Sequence, residues 1–225
     1  MLSAHALTLE RHGAERLDRA ALSVLPDLLA LADTLPKERA GTRLRGIPAL
    51  TAFLTPNALL GHIAATRLGP HARPVRAILF DKTADTNWAL GWHQDRVIAV
   101  RERIDTPGYG PWSIKQGMLH VAPPATLLAG MLTMRVHLDA VPETNAPLLI
   151  APGSHRLGRI AEDGIEAIVR NHASIACLAD VGDVWLYATP IVHASAIATQ
   201  PKRRRVLQID FAACDLPNGL EWLGV

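Results

Sequence analysis

From Pro74 onward the chain is a series of short β-prone runs, each closed by turn-forming residues. That punctuation limits the possible folds more than any other feature of the sequence. The runs are VRAILFDKT, NWALGWHQDRVIAV, LTMRVHLDAV, APLLIAPGS, DVWLYATPIVHASAI and RRVLQIDFAAC. Between them lie DTPGYGP, VPETNAP, PGSHRLG, VGD and TQPKR, whose Gly, Pro, Asn and Asp residues supply turn backbone. AEDGIEAIVRNHA predicts one short helix among the strands.

The region before Pro74 has a different period. Leu17, Ala20, Leu22, Leu25, Leu28, Leu29 and Leu31 recur at helical intervals over 13–35, with Pro26 breaking or restarting the helix. Residues 47–69 read the same way, and Thr55 or Pro56 marks a helix start. Helices followed by many strands predict an α+β fold. The expected architecture is a double-stranded β-helix, a jelly-roll or cupin-like barrel over 74–225. Residues 1–73 form a mainly helical cover packed on the outside of one sheet. No linker interrupts the pattern, so 1–225 reads as one domain.

About half of the 225 residues are apolar, enough for a substantial core. A net charge of +2 gives no reason to expect nucleic acid or a membrane as a partner. The first residues carry no signal-peptide pattern and no run of about 18 apolar residues occurs, so a cytoplasmic location is expected. Two cysteines do not make a disulfide framework. The composition leaves the oligomeric state open.

Chemistry enters with His93 and Asp95, two apart in a strand-like run and therefore on one face. The late run PIVHASAI puts His193 and Ser195 on one face in the same way. Two imidazoles and a carboxylate can make the facial triad of a non-haem Fe(II) site, with coordination positions left open. H-x-D alone is a weak signal, and the chain has ten histidines. Downstream, alternation groups Arg204 with Val206, Gln208 and Asp210, and sets Arg205 with Leu207, Ile209 and Phe211. The more polar side suits a ligand cavity. This favours Arg204 over Arg203 and Arg205 as the planar fork for a carboxylate.

Three motifs together resemble the phytanoyl-CoA dioxygenase family of Fe(II)/2-oxoglutarate-dependent oxygenases. They are WHQD, VPETNAPLLIAPGSHRLG, and GDVWLYATPIVHASA followed by RRRVLQIDFA. Ala146, Tyr187 and Ala194 stand where the family commonly has Gly, Phe and Gly. The resemblance implies Fe(II) on His93, Asp95 and His193, with 2-oxoglutarate and O2 as co-reactants. It also implies that Arg204 binds the distal carboxylate of 2-oxoglutarate, with Ser195 assisting, and that Trp112 lies near cosubstrate or substrate. By the same resemblance, retention of Asp95 points to hydroxylation of an unactivated C–H bond or, less often, desaturation. A binding protein of the same fold, or an iron dioxygenase independent of 2-oxoglutarate, are the other readings.

Five further features carry less weight in the sequence. Arg135 either faces solvent or binds a carboxylate of cosubstrate or substrate. Arg96, Arg101, Arg103 and Lys115 are either a solvated rim or a recognition surface for an anionic small-molecule substrate. His155 reads as a turn residue, and Gln94 points away from the metal by alternation. Trp222 and Leu223 at the C-terminal end either dock on the body or meet a partner.

Overall fold

The computed structural model describes residues 6–36 and 41–225. Thirteen strands form three antiparallel sheets. The larger principal sheet holds β1 (Ala14–Leu17), β2 (Gly41–Leu44), β3 (Arg73–Lys82), β8 (Leu132–His137), β11 (Val184–Ala188) and β13 (Arg204–Ala212), in the order β1-β11-β8-β13-β3-β2. Facing it is β10-β9-β12-β4, built from β4 (Leu90–His93), β9 (Leu148–Ile150), β10 (Ile175–Cys177) and β12 (His193–Ser195). Strands β5 (Ile98–Ala99), β6 (Trp112–Lys115) and β7 (Met118–Val121) make a third sheet, ordered β5-β7-β6. The two principal sheets meet through Leu148, Ile150 and Cys177 on one side and Ala14, Trp185 and Tyr187 on the other. This is a jelly roll, open rather than closed into a barrel.

The helices α1 (Leu9–His12), α2 (Leu25–Asp33), α3 (Pro48–Leu54), α4 (Leu59–Leu68), α5 (Ala125–Ala129) and α6 (Ile165–Asn171) are short. Leu25 and Leu28 of α2, Leu50 and Leu54 of α3, and Leu60 and Ala64 of α4 pack on the outer face of the larger sheet. They meet Leu207, Ile209 and Phe211, the apolar side of β13. Alternation along β13 therefore turns these residues to the helices and leaves Arg204 and Gln208 for the interior. Pro26 lies in the first turn of α2, where its missing N–H has no helical partner to lose, so it starts this helix.

Four expectations change. Residues 1–73 are not only a cover: β1 and β2 supply both edges of the larger sheet. Ala14–Leu17, predicted helical, pairs with β11 as a strand. The second helical stretch divides into α3 and α4, and α4 starts at Leu59 rather than at Thr55 or Pro56. DVWLYATPIVHASAI is also two strands, β11 and β12, in opposite sheets.

The hairpin β6–β7 gave no signal in hydrophobic pattern. Its turn residues Gln116 and Gly117 both have positive φ (51° and 75°), the backbone a tight two-residue hairpin requires. At the C-terminal end Trp222 is buried against the body: it bridges Val100 and donates its indole N–H to the Cys214 carbonyl at 2.9 Å. Among the described residues no helix is long and apolar enough to cross a membrane.

Candidate metal centre and its cavity

His93 ends β4, and its backbone partner across the ladder is His193 at the start of β12. Cross-strand partners share a face, so the rings meet, with centroids 4.2 Å apart. The run NWALGWHQDRVIAV does not continue as one strand. It leaves the ladder after His93, and Asp95 sits in the irregular link to β5. Even so, one ligand atom from each of His93, Asp95 and His193 lies within 4.8 Å of the others.

Two backbone carbonyls prepare the rings. His93 Nδ1 donates to Gly91 O at 2.7 Å and His193 Nδ1 to Ile191 O at 2.9 Å. A carbonyl oxygen can only accept, so each Nδ1 carries a proton and Nε2 is the ring atom left to serve as a ligand. Burial pushes the His193 imidazole down to about 4, against the pull of Asp95, so it is neutral at pH 7. A side chain at Gly91 would meet nothing within 4 Å, so this glycine contributes its carbonyl rather than a packing space.

Asp95 is oriented from behind. Arg76 on β3 reaches its carboxylate at 3.3 Å and also pairs with Asp210 on β13. Burial alone would raise the Asp95 carboxyl, but Arg76 and the two histidines outweigh it and hold the group below the usual carboxylate range. Asp210, more completely enclosed, is raised by burial despite Arg76. Thr133 donates to Asp210 at 3.0 Å. Gln94 points the other way: it donates to Gly158 O and Pro190 O and accepts from Ile160 N–H, fixing the link to the facing wall.

The ligand set opens into a cavity of about 300 Å³ between the sheets. Arg43, Arg76, Lys82, Lys115, Arg135 and Arg204 line it, against a single lining carboxylate, Asp95. Arg204, Arg135 and Lys82 are 4–6 % exposed. Arg204 donates to Ala146 O, and Arg135 donates to Gln208 Oε1 at 2.9 Å, an oxygen that also accepts from Tyr187. Lys82 Nζ donates to Trp88 O at 2.6 Å and contacts Ser195 Oγ at 3.4 Å.

None of the three cations has a carboxylate partner among the described residues, and the Nε groups of Arg135 and Arg204 are buried without any hydrogen bond. Burial first, then repulsion from Arg204 and Arg135, pushes Lys82 down to about 8. The same two causes, burial and Arg135, lower Arg204. Ala146 holds its carbonyl toward Arg204 from a left-handed backbone (φ 50°), a conformation glycine adopts more readily.

Arg203 is tied to Asp81 and Arg205 to Asp139, both outside the cavity. Arg135 is buried in the cavity wall, so its solvent-facing alternative is excluded. Trp112 is placed elsewhere: it packs in the third sheet under Arg103 and is not among the cavity-lining residues.

The expected basic rim does not form. Arg96 pairs with Glu162, Arg101 with Glu221 and Arg103 with Asp105, and only Lys115 lines the cavity. His155 sits in a short 3-10 turn (Ser154–Leu157) against Gly13, away from the ligands. Arg76, Lys82 and Arg43 were missed in the sequence. The signal for the first two was alternation, which places Arg76, Ile78, Phe80 and Lys82 on one face of β3.

Residues 45–206 match the family model described as phytanoyl-CoA dioxygenase. No curated protein sequence matches the chain. Among solved structures, EctD from S. alaskensis with bound Fe is similar at TM-score 0.64 and 19% identity, over 91% of this chain and 74% of that one. SnoK, described as a non-heme alpha ketoglutarate dependent carbocyclase from nogalamycin biosynthesis, is similar at TM-score 0.65 and 14% identity, over 100% and 90%. HygX from Streptomyces hygroscopicus, with nickel and 2-oxoglutarate bound, is similar at TM-score 0.60 and 13% identity, over 91% and 83%. At these identities the likeness is one of fold.

Proposed function

The chain belongs to the phytanoyl-CoA dioxygenase family of Fe(II)/2-oxoglutarate-dependent oxygenases, and from that premise we propose that it hydroxylates an unactivated C–H bond of a small carboxylate-bearing metabolite. The observation that carries this is the convergence of His93, Asp95 and His193 at the wall of a cavity whose buried Lys82, Arg135 and Arg204 have no carboxylate partner among the described residues. The donor set fits the metal. Two imidazoles whose Nδ1 atoms are engaged by backbone carbonyls, leaving Nε2 as the ligand atom, and one carboxylate kept ionised by Arg76 suit a divalent cation bound on one face. When bound, iron supplies the oxidising chemistry, with 2-oxoglutarate and O2 as co-reactants.

The protein's own part is placement. Arg204 offers its fork to the distal carboxylate of 2-oxoglutarate, with Ser195 lining the same cavity from the facing sheet. Lys82 and Arg135 add positive charge there, and the buried, unbonded Nε groups of Arg135 and Arg204 fit an anion better than an empty wall. Arg76 holds Asp95 in position, and the Gly91 and Ile191 carbonyls hold the rings. Phe80, Ile78, Leu148 and Trp88 line the cavity and limit water around the reacting carbon. Because the edges of the larger sheet come from 1–73, the whole of 1–225 serves as one oxygenase domain.

The test is incubation with Fe(II), ascorbate and 2-oxoglutarate in air over a metabolite library, read by mass spectrometry, with His93→Ala as control. The expected result is succinate together with a product heavier by one oxygen. A product of unchanged mass would overturn hydroxylation but not the oxygenase reading. If neither succinate nor the visible band of an anaerobic Fe(II)–2-oxoglutarate complex forms, the protein is a binding module.

A further inference from the structure

The cations of the cavity fall into two groups. Register separates them. Arg43 on β2 is the backbone partner of Ile78 on β3, Ile78 pairs with Gln208 on β13, and Gln208 pairs with Arg135 on β8. Arg43 and Arg135 thus end one row across four strands, which sets their backbones roughly 14 Å apart at normal strand spacing. Arg204 and Lys82 are themselves cross-strand partners, displaced four residues along β13 and β3 from that row. Lys82, Arg204 and Arg135 repel one another. Arg43 and Lys115 respond instead to Arg76, to Asp95 and, for Lys115, to Arg43. Ile78, the partner of Arg43, is two residues along β3 from Arg76, which reaches Asp95 at 3.3 Å, so Arg43 lies toward the metal-ligand end, and Lys115 lines the same cavity.

This outer pair is built into the cavity mouth. The β6–β7 turn is tied to β2 by Gln116, whose side-chain amide donates to Gly41 O at 3.1 Å. That bond brings Lys115 and Arg43, from two different sheets, to the same rim. Arg43 Nε is buried and has no hydrogen bond, and neither side chain forms an ion pair among the described residues. Arg76 cannot serve the same purpose, because Asp95 and Asp210 already neutralise it. A short diacid held by Arg204 and reaching the metal leaves Arg43 and Lys115 without a counterion.

Resting on the oxygenase reading above, we infer that Arg43 and Lys115 form a second anion site, which grips the carboxylate of the primary substrate at the metal-ligand end of the cavity, away from Arg204 and Lys82. The guanidinium fork matches a carboxylate in two parallel bonds, and the lysine adds a mobile second contact at the mouth. Ile78, the cross-strand partner of Arg43, and Phe80, the partner of Gly41, line the cavity beside this pair and would receive the apolar part of the same molecule. The substrate class is then an organic acid with a carboxylate at one end and a reactive C–H bond along an apolar portion.

The test is isothermal titration calorimetry under nitrogen on the Fe(II) enzyme saturated with 2-oxoglutarate. The titrants are a panel of small carboxylic acids, each beside its neutral amide. At least one acid should bind, and its amide about tenfold or more weakly, as for a lost charge-assisted bond. Arg43→Gln and Lys115→Gln should each weaken that acid, and the double variant by about tenfold or more, whereas 2-oxoglutarate affinity falls less than about threefold. Arg43→Lys, which keeps the charge but not the fork, should fall between. Equal binding of acid and amide, no binding of any acid, or an acid that survives the double variant would overturn the site. Loss of 2-oxoglutarate binding along with the acid would reassign Arg43 to the cosubstrate. Failure of the underlying functional reading looks different: the wild-type enzyme then takes up no 2-oxoglutarate at all.

Discussion

Arg76 and Arg204 are both buried arginines on the inner face of the same sheet, yet they are treated in opposite ways. Arg76 stands between two carboxylates, Asp95 and Asp210, and Asp210 is in turn held by Thr133. Arg204 stands beside Arg135 and Lys82, with one backbone carbonyl and no acid. Burying an unpaired guanidinium is costly, and such a charge persists where something outside the chain completes it. The difference separates the cavity into an end that the protein finishes for itself and an end left for an anion. The finished end holds the metal ligands still, and the unfinished end stores attraction for a ligand.

The largest expected effect comes from breaking the finished end. Asp95→Gly removes one proposed ligand and one of the two partners of Arg76. Succinate formation should fall more than about 100-fold, since loss even of an outer partner of a metal site costs 10–100-fold. Iron content after anaerobic dialysis should fall with it. Full activity in this variant would remove Asp95 from the ligand set.

The next test sharpens the contrast at the unfinished end. Arg204→Ala should weaken 2-oxoglutarate by about 30-fold or more, the usual result of truncating one side of a buried charge pair. Arg203→Ala and Arg205→Ala, whose side chains are spent on Asp81 and Asp139, should leave that affinity unchanged in the same anaerobic titration. If Arg203→Ala or Arg205→Ala matched Arg204→Ala, the division of the three neighbouring arginines by strand alternation would fail.

How much of this was legible in the sequence follows from the range of each signal. Strand alternation is local and strong, so the placement of Arg204 toward the interior and of Leu207, Ile209 and Phe211 toward the helices could be read from β13 alone. His93 and His193 could be paired only through motif order, because nothing local says that β4 and β12 are neighbours. The break after His93 was invisible, since Val97, Ile98 and Val100 continue an apolar pattern while the backbone changes sheet. Ala14–Leu17 misled for a related reason: four residues fit a helical and a β period equally well, and only pairing with β11 decides. The basic cluster misled most. Counting Arg96, Arg101 and Arg103 cannot reveal that Glu162, Glu221 and Asp105, two of them far away in sequence, neutralise them.

A smaller effect tests whether the unfinished end costs stability before a ligand arrives. Lys82 titrates near 8 when folded and near 10.5 when unfolded. Below about 8 both states are protonated and the penalty of the buried ammonium is fully present. Between these values the unfolded chain binds more protons, so stability rises with pH and the penalty disappears. Lys82→Met should therefore melt above the wild type at pH 7 in the absence of 2-oxoglutarate, and the gap should close as pH rises toward 10. Saturating 2-oxoglutarate should narrow the gap at pH 7 by binding the wild type more tightly. A gap independent of pH would assign the change to packing rather than to charge.

The smallest effect belongs to the charges that looked most suggestive in the sequence. Arg101 and Arg103 are about 60 % exposed and their partners are similarly exposed, the class of ion pair worth roughly 0–1 kcal/mol. Arg101→Ala and Arg103→Ala should change unfolding free energy by less than about 0.5 kcal/mol and leave turnover untouched, because neither side chain reaches the cavity. Arg103 also lies over the Trp112 ring at 5.4 Å, so its variant reports on Trp112 as well. Should Arg103→Ala alter 2-oxoglutarate affinity or product yield, then Trp112 would couple to the site through the third sheet, and the unfinished end would extend beyond the two principal sheets. Silence in both assays keeps the functional charge where the counterions are missing, at Arg43, Lys82, Lys115, Arg135 and Arg204.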